Sequence, residues 1–117
     1  MVTGFESSKG HLLISLHDSK KTFPGDAAHA LQLARVPINP KETVVSLKPV
    51  PPGNYAISIF QDENDNEKLD RNLIGIPKEP FGASNNAKAV FGPPKWKDAV
   101  FQVSPKGTTQ RIRLRRL

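Results

Sequence analysis

Five carboxylates fall within nine residues between Asp62 and Asp70, and side-chain amides alternate with them. In DENDNEKLD, Asp62, Asn64, Asn66 and Asp70 stand at relative positions one, three, five and nine. Those are positions from which oxygen ligands turn inward in a calcium loop, with a backbone carbonyl, here that of Lys68, at position seven. Calcium takes about six to eight hard oxygens, and carboxylates and amides both qualify. Leu69, at position eight, would pin the loop to a core. Two positions depart from the full loop. Glu67 stands where a Gly would take a left-handed backbone, and Leu73 stands where a bidentate Glu would close the shell. Glu79 is the carboxylate available to fold back in its place. The spacing therefore nominates Asp62, Asn64, Asn66, Lys68, Asp70 and Glu79 as metal-site residues, with weak, largely structural calcium as the cofactor. The same residue types also support a metal-free reading, in which Asp and Asn side chains cap loop amides.

Other chemistry is thinner. Glu79, Asp70 and Ser84 are the residues from which a hydrolase-like site could be built, but Ser84 lies in GASNN, which is not a nucleophile elbow. No Gly-rich phosphate cradle is present. His11 and His17 fall on the outer face of a strand and His29 is distant, so their spacing is not that of a zinc site and solvated imidazoles are expected. No catalytic residue is nominated. The C-terminal RIRLRR presents an alternating Arg row that could meet phosphates. Such a row also guards a sheet edge against aggregation, and one Trp and one Tyr give no stacking platform for bases. A binding or structural module is the main reading, with an unidentified protein, glycan or envelope component as partner. A hydrolase and a polyanion or nucleic-acid binder are the alternatives.

Composition sets the frame. A chain of 117 residues suits one domain over 1–117 with a modest core. Eleven Pro and eight Gly cut it into short pieces and favour strands and ordered loops over long helices. The net charge of +6 is uneven: residues 62–70 carry −4, so the other 108 carry +10. An anionic knot on a basic body draws cations to one place and anions to another. Without cysteine there is neither disulfide nor thiolate metal site. No run reaches the length of a membrane-spanning helix. The first ten residues lack the apolar stretch of a signal peptide, which fits a cytosolic protein or a mature form given a new start Met.

Strands must position the acidic segment. In HLLISLH (11–17), Leu12, Ile14 and Leu16 alternate onto one face. Asp26 could cap a short, irregular helix near 26–34. ETVVSLK (42–48) is β-branched and strand-like. NYAISIF (54–60) follows a Pro-Gly turn and places Tyr55, Ile57 and Ile59 together, which predicts an antiparallel pair. A long ordered loop is expected over 61–97, with a short strand at 87–91 inside it. AVFQV (99–103) and TTQRIRLRRL (108–117) read as the last strands, with Ile112 and Leu114 inward and Arg111, Arg113 and Arg115 outward. The fold class expected is all-β, a single antiparallel β-sandwich of immunoglobulin-like or transthyretin-like form.

The chain also resembles a known family. VPPGNYAISIFQ leads into DENDNEKLDRNLIGIPKEPFGASNN, and FGPPKWKDAVFQV follows. This succession resembles the uncharacterised bacterial family called domain of unknown function 2141, across nearly the whole chain. The match falls on Asp62, Asn64, Asn66, Leu69, Asp70 and Asn72, then on Gly75, Pro77, Glu79, Gly82, Ser84, Asn85 and Asn86. It continues through Pro93, Pro94, Asp98 and Ala99. Glu67 departs from it, since the family typically has Gly there. The resemblance implies a small β-sandwich, usually exported and often periplasmic, with no established reaction.

Overall fold

The computed structural model describes residues 1–66, 78–89 and 92–116. The described part is mostly β, with seven strands, one short helix and two 3-10 turns. In chain order they are β1 (Val2–Thr3), β2 (His11–His17), a 3-10 turn (Ala27–His29), β3 (Gln32–Pro37) and β4 (Gly53–Asp62). There follow β5 (Phe81–Ala83), a second 3-10 turn (Ser84–Asn86), α1 (Trp96–Ala99), β6 (Phe101–Val103) and β7 (Ile112–Arg113).

The central pair forms because two alternating segments match. β2 and β4 run antiparallel in register from His11 opposite Asp62 to His17 opposite Ala56. That register puts Leu12, Ile14 and Leu16 on the same face as Ile57 and Ile59, and all five are buried. β3 pairs antiparallel with β2, β5 pairs with β4 at Ser58–Phe60, and β6 pairs with β4 at Gly53–Tyr55, giving a five-stranded antiparallel sheet. A separate two-stranded parallel sheet joins β1 to β7. It connects to the larger one where Phe81 and Arg115 exchange two backbone hydrogen bonds of 2.9 Å.

Each face of the large sheet has its own cover. On one face the aliphatic residues of β2 and β4 pack with Val2, Ile112 and Leu114 into the main core. Partly buried Val45, Leu47 and Val50 close over it. Gly82 permits β7 to approach: a Cβ there would lie 3.0 Å from Ile112 Cγ2 and 3.1 Å from the Arg113 carbonyl oxygen. The opposite face carries small residues, and Ala56, Ala83 and Ala99 pack there with Phe23. Phe23 also meets Trp96 edge-to-face at 6.1 Å between centroids.

Several expected elements differ. The helix near 26–34 is reduced to Ala27–His29, and from Gln32 onward the chain is strand, because pairing with β2 satisfies more backbone groups than an isolated turn could. The 42–48 strand does not form. Only Thr43 makes a bridge, to Val2, and the Gln32 side chain bonds both the N–H and the carbonyl of Lys48 where a ladder would have done so. The 61–97 segment is not one loop: β4 extends into it as far as Asp62, β5 and a 3-10 turn occupy 81–86, and α1 begins at Trp96. Residues 87–89 are not strand, and 90–91 lie outside the described residues. The last strand is shorter than expected, but Ile112 and Leu114 do face inward and Arg111, Arg113 and Arg115 outward.

His17 is a further correction. It is fully buried, because the turn through Thr22 and Phe23 folds over that end of β2. The Thr22 hydroxyl donates to the Ser19 carbonyl, so its oxygen accepts from His17 Nδ1 at 2.9 Å. In the neutral ring Nε2 then accepts from the Ser15 hydroxyl at 2.8 Å. Burial pushes the imidazole below its ordinary value of 6.5, and the charges of Asp26 and Asp18 oppose that only partly. The unfolded chain thus takes up a proton at a higher pH than the folded one. Stability from this group is fully present above the unfolded value and declines as pH falls from there to the folded value. Urea unfolding between pH 7.5 and 5 should show His17→Gln less stable than the parent at neutral pH. The variant should also lose a slope of up to about 1.4 kcal/mol per pH unit below the ordinary His value.

Candidate functional site

The candidate site grows out of the end of β4. Its last two residues, Gln61 and Asp62, are both fully buried although both are polar. Gln61 Nε2 donates to the carbonyls of Ser7 and Lys9, which draws the incoming chain across the strand end. Gly10 makes that crossing possible: its φ is +69°, and a Cβ on it would overlap the Asp62 carbonyl oxygen.

Beyond Asp62 the chain turns on its own side chains. The Asn66 N–H points between Asp62 Oδ1 at 3.2 Å and Asn64 Oδ1 at 3.4 Å, so positions one, three and five of the acidic motif curl around one amide. Asp65 takes the left-handed conformation, at φ 55°, which Asp tolerates better than most residues. Its carboxylate reaches back to the sheet, where Oδ1 meets His11 Nδ1 at 2.7 Å and Arg35 Nη2 at 3.2 Å. The His11 hydrogen bond, with help from the charges of His11 and Arg35, holds the Asp65 carboxyl below its ordinary 3.8 against a smaller desolvation effect.

A second carboxylate arrives from downstream. Glu79 is almost fully buried, and its Oε2 accepts the Glu63 N–H at 2.7 Å. The Gln61 N–H donates to the Pro80 carbonyl at 2.9 Å, which sets the 78–80 segment beside the strand end. Arg116 clasps the assembly from the C-terminal side. Its guanidinium donates to Glu63 Oε1 at 3.0 Å, to Glu6 Oε2 at 3.3 Å and to the Lys78 carbonyl.

The structure therefore brings Asp62, Asn64, Asn66 and Glu79 to one end of the sheet. Lys68 and Asp70 lie outside the described residues, as do Leu69 and Leu73. Among the described residues, no group of three or more His, Asp and Glu is placed to hold a metal ion. Ser84 belongs elsewhere. It is fully buried, its hydroxyl donates to the Ala99 carbonyl at 2.5 Å, and its oxygen accepts the Ile57 N–H at 2.9 Å. Its role is to tie β4 to α1, and as placed it cannot meet a substrate. His11, Arg35, Glu63 and Arg116 belong to the site although the spacing did not nominate them. His11 lies 54 residues and Arg35 30 residues from Asp65, and Arg116 lies 53 from Glu63, so these pairings carry no local signal. Only the β2–β4 register, which sets His11 opposite Asp62, could have indicated one of them.

Two measurements check these contacts. Ser84→Ala would leave the Ile57 N–H and the Ala99 carbonyl buried without this partner and should cost roughly 2 kcal/mol in urea unfolding. In an NMR titration the Asp65 carboxyl should have its midpoint below 3.8, and His11→Ala should move that midpoint upward. An unmoved midpoint would contradict the His11 contact.

No curated protein and no solved structure matches the chain. Among the described residues no helix is long and apolar enough to cross a membrane. A sequence model of the family described as an uncharacterized protein conserved in bacteria (DUF2141) matches residues 1–111, and the chain belongs to that family.

Proposed function

We propose that this protein is a non-enzymatic binding or structural module. In this reading it is an exported β-sandwich of immunoglobulin-like or transthyretin-like form, and its acidic turn takes up calcium weakly. The observation that carries the reading is the return of Glu79: a carboxylate sixteen residues downstream comes back to the Glu63 amide, beside buried Asp62. Asp62 and Glu79 thus bring two buried carboxylates to the end of β4, one accepting the Asn66 amide and the other the Glu63 amide, and their charges favour a cation there. Asn64 and Asn66 add neutral hard oxygens of the kind calcium accepts. The Lys68 carbonyl and the Asp70 carboxylate would complete the shell, with Glu79 in the place of the loop's missing bidentate residue. Calcium there would hold the segment running to Asn86 as a firm surface for a protein, glycan or envelope component. The sandwich reading is supported by the separate cover on each face of the sheet. It is also supported by the Tyr55 hydroxyl, which donates to the Pro51 carbonyl four residues upstream at 2.6 Å, a contact of the kind that fixes corners in Greek-key sandwiches.

Calorimetric titration of the whole chain with calcium should give a dissociation constant on the order of 10⁻⁴–10⁻³ M, the range of extracellular modules. At ten times that constant the protein should gain about 1.4 kcal/mol. Asn64→Ala and Glu79→Gln should each abolish the heat. The absence of both heat and a thermal shift at millimolar calcium would overturn the metal reading and leave a turn held by its Asx side chains alone.

A further inference from the structure

A second candidate site lies beside β5, with none of the acidic turn's residues in its lining. We propose that the groove between β5, residues 86–89 and the Arg113–Arg115 segment binds a small carboxylate carried on a compact apolar body, such as an aryl or branched-acyl acid. The groove has a volume of about 130 Å³. That is close to the roughly 150 Å³ in which an apolar cavity takes up benzene, so one ring or a short branched chain fits.

The two halves of the groove differ in chemistry. Phe81, Ala83, Ala87 and Ala89 give it an apolar wall. Lys88, Arg113 and Arg115 bring three positive charges to its edge, and no carboxylate lines it. Among the described residues none of these three cations is held in an ion pair, whereas Arg35 and Arg116 both are. The arginines stand two residues apart on an extended segment, so their side chains leave from the same face about 7 Å apart. That spacing lets two guanidinium groups close on one carboxylate.

The backbone beneath them is fixed before any ligand arrives. The Arg113 N–H donates to Asn86 Oδ1 at 2.8 Å, and Arg115 is joined to Phe81 by two backbone hydrogen bonds. Such preorganisation lowers the ordering cost of binding. A polyanion would need only the cations. An amphipathic acid uses both halves, and this is why the groove favours it.

The test is an NMR titration of amide shifts on the whole chain at constant ionic strength, with benzoate as the probe. Benzoate should give saturable shifts confined to Phe81–Ala83, Asn86–Ala89 and Arg113–Arg115. Benzyl alcohol, which lacks the charge, should bind at least about tenfold more weakly. Arg113→Gln and Arg115→Gln, both at exposed positions, should each weaken benzoate by about tenfold. Ala89→Leu, which fills the apolar half, should weaken it without removing a charge. An absence of saturable shifts at these amides would overturn the proposal. So would inorganic phosphate or a short oligonucleotide binding as well as benzoate, because the groove would then be only part of a basic surface. The calcium titration is independent of either outcome.

Discussion

The antiparallel ladder between β2 and β4 sets where every other feature falls. Its register places four aliphatic positions of β2 and β4 opposite one another on one face and His11, Ser15 and His17 on the other. Since side chains alternate strictly, a slip of one residue would exchange those faces. It would set imidazoles among the isoleucines and carry Asp62 away from His11. The register also decides that β4 ends in a buried carboxylate, so the acidic turn starts inside the protein and not on its surface.

Burial at that strand end explains the density of polar contacts around it. A carboxylate or amide taken out of water needs hydrogen bonds, and the cost of leaving it without them exceeds the gain from any one contact. Asp62 answers the Asn66 amide, Gln61 reaches the N-terminal segment and Glu79 answers the Glu63 amide. Arg116 then joins Glu6 and Glu63. Four separate stretches of chain meet there, so the turn is tied to the whole fold and not only to its neighbours in sequence.

The charge asymmetry acquires a spatial meaning in the fold. Carboxylates gather where β4 ends, with Arg35 and Arg116 drawn in as counter-ions. Arg113 and Arg115, which are not drawn in, lie beside β5, next to a groove walled by small apolar residues. The acidic end of the molecule is the proposed cation site and this groove the proposed anion site.

The sequence by itself determined the periodic features. Alternation in 11–17 and 54–60 predicted β2 and β4 and their inward residues, because a two-residue period is a local property of a pleated chain. The same argument oriented Ile112, Leu114 and the arginines between them. The acidic motif was legible as a cluster, since its Asp and Asn residues sit at short fixed intervals. Tertiary structure decided what depends on contacts between distant residues. His17 looked exposed by alternation, yet the Phe23 turn covers it. A β-branched run at 42–48 formed no strand beyond the Thr43 bridge, and Gln32 met Lys48 where a ladder would have run. Ser84 became a buried tie because Ile57 and Ala99 converge on it. The partners of the acidic turn, His11, Arg35 and Arg116, come from segments that only the folded register brings together. Local pattern specifies which face a residue takes, and packing alone specifies what that face meets.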